Sequence, residues 1–447
     1  VERICCIALS IIVASHAFTR DTIRIRNPRH ASCSVQRALK SWDELEECTL
    51  RQSKLLEVPL SLDSVLNPQD TIAFSSSHPT LFRERHGWCP YSERVWLSME
   101  MANVVHDTVR IDNTGGPKPR YFAGQTPQIR WPEGKTQSES MDLVYEIDRR
   151  YANGIFQSQS TEIREVVSKF QSIFPRARPS SRAAFLFQMN GEPLWRSTFE
   201  TTLQKTDELL SRSDGPFFHG SQCTAADIAW VPFLERYRYQ LPCLHQGLDP
   251  ANPVDYPHLK KWHDAMDKIP VYACRVKGDA ASWRKVLTMA GFGNSGLPPQ
   301  IESNMNELVA KEEEEAKASI DLNVWQAYAK DRPYVQPTPH QEAAAIIIRN
   351  RQAIIKDILK QASTSVGKRL QLPSSNDEVD TTLRALVELL WENHGDASTL
   401  DSRLEKRKVA QLASFLDHRM CVPRDMGAMA AATLKNMAVS IRTEQLQ

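Results

Sequence analysis

The chain has 447 residues, 41% hydrophobic and 24% charged, with a formal net charge of +1. That length has room for about three domains, and the charge balance supplies no steering toward nucleic acid or another polyanion, although a local basic patch stays open. Nine irregularly placed cysteines without a Cys-x-x-Cys pair, and twelve histidines without His-Glu-x-x-His, speak against a disulfide scaffold, a zinc cluster or any other metal centre.

Arg3 precedes an apolar run, Ile4 to Ala14, which is too short for a membrane span and right for a signal-peptide core. The chain begins at Val1, so a few starting residues are expected upstream. Ala14-Ser15-His16-Ala17-Phe18 follows, and then a basic stretch with Arg20, Arg24, Arg26, Arg29 and His30. Cleavage between small residues near Ala17 fits secretion. The phrase also resembles the Ala-x-Ala-Phe junction of signal and transit peptides in algae with complex plastids, here with His16 in the usual small-residue place. That resemblance implies a plastid address. Residues 1–35 are read as this leader, with secretion or a cytoplasmic chain with a misplaced start as alternatives, and no transmembrane span is expected in the mature chain. Residues 36–70 are read as linker with one helix, Val35 to Leu50, that can pack on the first domain.

Residues 71–152 carry an α/β pattern. Strand signals fall on Ile72-Ala73-Phe74, on Leu81-Phe82, on Val105 to Ile111 and on Gln128 to Trp131. Pro132-Glu133-Gly134-Lys135 is a turn, and Ser140 to Arg150 is a helix with Leu143, Val144 and Ile147 on one side. Between the first two long strands lies Gly87-Trp88-Cys89-Pro90-Tyr91-Ser92, followed by a helix to Met101. Proline suits the first helical position, because its missing amide has no partner there anyway. The free amides and dipole of a helix N-terminus are expected to lower the Cys89 pKa. Ser92 stands where a second thiol would complete a dithiol pair, so Cys89 is expected to react alone or with a thiol from another molecule.

Residues 160–292 read as all-helical. Ile163, Val166, Val167 and Phe170 form one apolar stripe, and Phe199, Leu203, Leu209 and Leu210 another. Thr224 and Asp227 have capping-box spacing ahead of a helix that Pro232 can kink. Tyr256 to Met266 is a further helix, closed at Pro270-Val271-Tyr272. Asn294 to Pro299 is a linker. Residues 300–447 read as a helical extension: an acidic helix from Glu302 to Leu322, then Ala343 to Leu359, Leu383 to Trp391, Leu404 to Leu416 and Ala428 to Ile441. A turn at Val422 to Gly427 precedes the last of these.

Residues 74 to about 275 resemble the soluble glutathione transferases, above all the cysteine-type lambda and omega classes and their dehydroascorbate reductase relatives. Three marks carry this in order: Cys89-Pro90-Tyr91-Ser92-Glu93-Arg94-Val95-Trp96, Thr126-Pro127, and Glu139-Ser140-Met141-Asp142-Leu143-Val144. The resemblance implies a thioredoxin-like α/β domain, then an all-α transferase domain, then an additional helical region. It implies Cys89 as nucleophile, Pro127 as the family's cis-proline with Thr126 before it, and Glu139-Ser140 as the receiver of the γ-glutamyl group. Glutathione is the implied cosubstrate, with Lys118 near its glycyl end. The chemistry agrees, since Glu139 can neutralise the glutathione ammonium and Ser140, at a helix start, can bind a carboxylate. A plain helix start is the other reading of that pair.

Trp88, Phe187 and Trp195 are candidate walls of a hydrophobic pocket, and core packing is the other reading of the last two. Thr224 and Asp227 are expected to be structural. Ser92 can donate a hydrogen bond to the thiolate. The implied activity is a monothiol transferase or reductase that acts on a glutathionylated or other small-molecule substrate. Two alternatives stay open, a carrier of a hydrophobic ligand and a scaffold whose tail binds a protein partner. Cys421-Val422-Pro423-Arg424-Asp425-Met426 resembles a phrase in tails of some algal transferase-like proteins, and its thiol is either reactive or buried.

Overall fold

The computed structural model describes residues 39–50, 61–64, 72–113, 115, 118–175, 185–293, 296–314, 320–393, 400 and 403–446. The leader read over residues 1–35 lies outside them. The first elements are α1 (Trp42–Leu50), β1 (Ser61–Asp63), β2 (Thr80–Glu84), α2 (Pro90–Met101), β3 (Asp107–Ile111), β4 (Gln128–Arg130), β5 (Thr136–Ser138) and α3 (Ser140–Ile147). They build one sheet in the order β1-β3-β2-β4-β5. β1, β3 and β2 run parallel, β4 is antiparallel to β2, and β5 is antiparallel to β4. This is the thioredoxin-like α/β layer that the sequence implied.

β2 is buried along its whole length, as a parallel strand covered on both faces must be. Leu81 joins the large core with Val95 and Trp96 of α2, while Phe82 joins Val109, Ile111 and Phe122 on the opposite face. Two expectations are corrected here. Ile72 to Phe74 is no strand; Phe74 instead meets Phe82 and Tyr121 edge-on, at 6.1 and 5.8 Å between ring centres. And a strand does form within the stretch read as linker, where Ser61–Asp63 pairs with Thr108 to Arg110. Three residues of mixed polarity carry no period of their own, so the partner strand decides their conformation.

The helical domain follows with α4 (Thr161–Ile173), α5 (Arg196–Leu210), α6 (Ala225–Leu244), α7 (Pro257–Met266) and α8 (Ala280–Val286). α6 is its axis, buried almost throughout despite Pro232 and Pro242 within it. The capping box forms: Asp227 accepts from the Thr224 amide at 2.9 Å and from its hydroxyl at 3.0 Å. The same carboxylate takes the Phe218 amide at 3.1 Å and the Trp262 indole at 2.9 Å, so it ties α6 to α7 as well.

The extension consists of α9 (Pro299–Glu314), α10 (Leu322–Ala329), α11 (Pro339–Ala362), α12 (Ser365–Leu370), α13 (Asn376–Asn393), α14 (Arg403–Arg419) and α15 (Ala428–Leu446). The acidic helix is described as far as Glu314; Ile320 and Asp321 are not helical, so it does not reach Leu322, which opens α10. α11, α13, α14 and α15 pack on one another, α9 lies on α6, and α15 lies on the π turn Tyr272–Val276. One continuous cluster of buried apolar side chains runs from Leu81 through Trp230 to Ile441. α1 docks on this extension, a departure from the expected packing on the first domain. The Trp42 indole donates to Asp380 at 2.6 Å, and Lys40 pairs with Glu392.

Replacing Thr224 by Ala is expected to cost about 1 kcal/mol of unfolding free energy, the usual worth of a cap. Asp227→Ala removes the acceptor of four buried donors and is expected to cost several times more, at about 1–3 kcal/mol per orphaned group. Urea unfolding of both variants checks the ratio.

Candidate active site

The register of the sheet brings the quoted motifs to one end. β2 stops at Glu84, and five residues later Cys89 starts α2. Phe82 pairs with Gln128, and Gln128 pairs with Ser138. The starts of β4 and α3 therefore flank the end of β2. Pro127, just before β4, follows a cis peptide bond. Glu139, just after β5, caps α3 and is exposed, with φ 72° and ψ 109°. That is a left-handed conformation few side chains adopt, and such strain clusters at ligand clamps. Ser140 is buried behind it. Lys118 lies on the loop leaving β3 at the same end, exposed, with its ammonium 2.7 Å from the Gly124 carbonyl. The Thr126 hydroxyl accepts from Asn113 at 2.6 Å.

Cys89 is half-buried at the N-cap of α2, and Pro90 takes the first helical position. The amides of Ser92 and Tyr91 and the Ser92 hydroxyl all point hydrogen bonds at its sulfur. The Ser92 oxygen in turn accepts from the Glu84 amide at 3.3 Å, which leaves its proton for the thiol. These contacts favour the thiolate, as the sequence implied. Burial nonetheless outweighs them and pushes the Cys89 thiol above its ordinary range, with the nearby Glu84 carboxylate adding to the rise. The expected lowering is thus corrected: the helix start is there, but the surrounding protein removes the water that would solvate the anion.

Two arginines that sequence reasoning passed over organise the site. Arg94 is buried one turn into α2. It donates to the Ala229 carbonyl at 2.8 Å and reaches the Ser140 hydroxyl at 3.4 Å, so it links the Cys89 helix, α3 and α6. Burial lowers its pKa to about 10, and it attracts the Cys89 thiolate. Arg236 on α6 pairs with Glu93 at 2.8 Å and donates to the Trp88 carbonyl at 3.1 Å. Burial pushes the Glu93 carboxyl up against that attraction. The only sequence signal for either was a charged residue on an otherwise apolar helix face.

The two neighbours of Cys89, Trp88 and Pro90, line a narrow apolar cleft with a free volume of about 30 Å³, roughly enough for a water molecule. Phe187 and Phe233 form its far wall, and Arg236 and Gln240 supply its polar groups. Trp195 is corrected: it is 71% exposed at the N-cap of α5 and lines no part of this cleft. Among the described residues no cluster of three or more His, Cys, Asp or Glu side chains could hold a metal. No helix among them is long and apolar enough to cross a membrane.

Residues 162–265 match the family model described as the glutathione S-transferase C-terminal domain. The chain carries a cysteine-type glutathione-transferase-like fold, with extra helices beyond it. The relatives agree with that placement. "Glutathione S-transferase L3" of Arabidopsis thaliana is 25% identical over 193 residues, which is 41% of this chain and 77% of the relative. "Probable glutathione S-transferase DHAR1, cytosolic" of Oryza sativa subsp. japonica is 28% identical over 164 residues, covering 36% and 70%. Among solved structures, the Chlamydomonas reinhardtii dehydroascorbate reductase is 18% identical and covers 53% of this chain and 99% of its own, at a TM-score of 0.35. Glutathione transferase Omega 1C from Trametes versicolor is 22% identical and covers 42% and 87%, at 0.34. The match to the family model ends at residue 265, ahead of the extension.

The alkylation rate of Cys89 by iodoacetamide, followed by peptide mass mapping against pH, is expected to have its midpoint above that of an exposed thiol. Ser92→Ala removes a donor to the anion and is expected to move the midpoint higher still. An unchanged midpoint would show that the hydroxyl does not serve the sulfur.

Proposed function

We propose that this protein is a glutathione-dependent thiol transferase or reductase that works through a mixed disulfide on Cys89. The observation that carries the reading is a half-exposed thiol, contacted by the Ser92 hydroxyl and two amides, at the same sheet end as the strained Glu139 and the buried Ser140. The likeness to glutathione transferases supports the general role, and the residues present supply the finer one.

Glutathione would lie along the start of β4, with its ammonium at Glu139, its γ-glutamyl carboxylate at the free amides and hydroxyl of Ser140, and its glycyl end toward Lys118. Cys89 thiolate attacks the glutathione sulfur of a glutathionylated substrate. A sulfur–sulfur bond forms to glutathione and the substrate leaves as a thiolate. A second glutathione thiolate attacks that mixed disulfide, releases glutathione disulfide and restores Cys89. With dehydroascorbate, the thiolate adds to a carbonyl carbon. Glutathione thiolate then attacks the cysteine sulfur, and the electron pair of the broken carbon–sulfur bond leaves with ascorbate. Ser92 cannot form an internal disulfide, so the resolving thiol comes from glutathione.

Intact-protein mass measurement after treatment with glutathione disulfide is expected to show one glutathione adduct on the wild type and none on Cys89→Ala. Glu139→Gln and Ser140→Ala are each expected to weaken glutathione binding roughly ten-fold, the size of a lost hydrogen bond to a charged group. A wild type without adduct, or an equal adduct on Cys89→Ala, sinks the reading and leaves the ligand-carrier alternative.

A further inference from the structure

Trp88 is buried, and each of its polar groups is held by a different part of the chain. Its amide donates to Glu84 Oε2 at 2.7 Å, at the end of β2. Its carbonyl accepts from Arg236 at 3.1 Å, on α6. Its indole Nε1–H points at the Cys421 sulfur at 3.4 Å, in the turn between α14 and α15. That turn makes two more contacts with the same loop. Arg424 reaches His86 Nδ1 at 3.2 Å, and the His86 ring stacks on Trp88 at 4.5 Å. The Pro423 ring lies within 3.8 Å of the position a side chain would take at Gly87.

The turn is itself anchored to the helical domain. Ser282 Oγ accepts from the Val422 amide at 2.8 Å, and Lys285 donates to the Met420 carbonyl at 2.7 Å. Asp425 closes the turn by accepting from the Cys421 amide at 2.9 Å. At Gly427 a methyl group would stand 1.9 Å from the Cys274 carbonyl oxygen, so only glycine lets the turn sit this close. The Cys421 thiol is buried, and burial pushes it up, which keeps it a neutral partner for the indole.

We propose that residues 420–427 of the extension are a positioning element of the active site, holding Trp88 through Cys421 so that the Cys89 sulfur keeps its place and its shielding. The inference rests on Cys89 being the reacting thiol, and it gives the extension a part in the reaction. Cys421 acts through Trp88 and is not itself consumed.

Cys421→Val keeps the volume and removes the acceptor, whereas Cys421→Ser keeps an acceptor. Cys421→Val is expected to slow formation of the Cys89 adduct by glutathione disulfide about five-fold, the size of one hydrogen bond. It is also expected to lower the pH midpoint of Cys89 alkylation, because water then reaches the sulfur. Cys421→Ser is expected to match the wild type in both readouts. Gly427→Ala, which lifts the turn from its other end, is expected to behave like Cys421→Val. In Trp88→Phe, which lacks the donor, adding Cys421→Val is expected to change nothing further. A wild-type rate and midpoint in Cys421→Val overturns the inference, as does a Cys421→Ser variant as impaired as Cys421→Val. If the wild type forms no adduct, the proposed function falls, and the alkylation midpoints still decide whether the turn governs Cys89.

Discussion

A buried polar group must find a partner, and for Trp88 that demand draws three parts of the molecule together. The residue immediately before Cys89 has its amide, carbonyl and indole satisfied by the sheet, the helical domain and the extension in turn. Losing any one leaves a donor or acceptor away from water, which costs about 1–3 kcal/mol. The relative placement of the three parts and the placement of Cys89 are therefore one problem. Arg94 repeats the arrangement on the other side of the thiol, where it spans α2, α3 and α6.

The chemistry of Cys89 reflects a contest between local and global effects. The helix start, the two amides and Ser92 favour the anion, and the enclosure of the site disfavours it more. A thiol held mostly protonated in the free protein is protected from stray oxidants, which attack the thiolate. Arg94, buried within electrostatic reach of the sulfur, attracts the anion whenever it forms.

What the sequence makes legible is local. The Cys89 helix start and the Thr224–Asp227 box are each written within a few adjacent residues; the cis bond at Pro127 is what the family resemblance implies, and the positive φ of Glu139 has no sequence signal. The five longer helices of the extension are also legible, since a repeating apolar face is a local signal, whereas α10 and α12, of eight and six residues, are too short to show one. What escaped depends on distant partners. Ser61–Asp63 becomes a strand only because β3 offers an edge. Ile72 to Phe74 has the composition of a strand, but its Phe74 ring covers the sheet from outside the ladder. Trp195 has the bulk of a pocket wall, yet it begins a helix in solvent. The Cys89 shift runs against its local signal because burial, which packing sets, outweighs the helix start beside it.

The docking of α1 on the extension has a consequence for how the chain is made. Trp42 and Lys40 bind Asp380 and Glu392. The first described helix therefore lacks these partners until the chain has been made as far as residue 392. At ordinary rates of synthesis that is roughly a quarter of a minute to a minute of waiting. The thioredoxin-like layer and α4 to α8 can assemble earlier from neighbouring segments, so the docking of α1 on α13 closes over a centre already made.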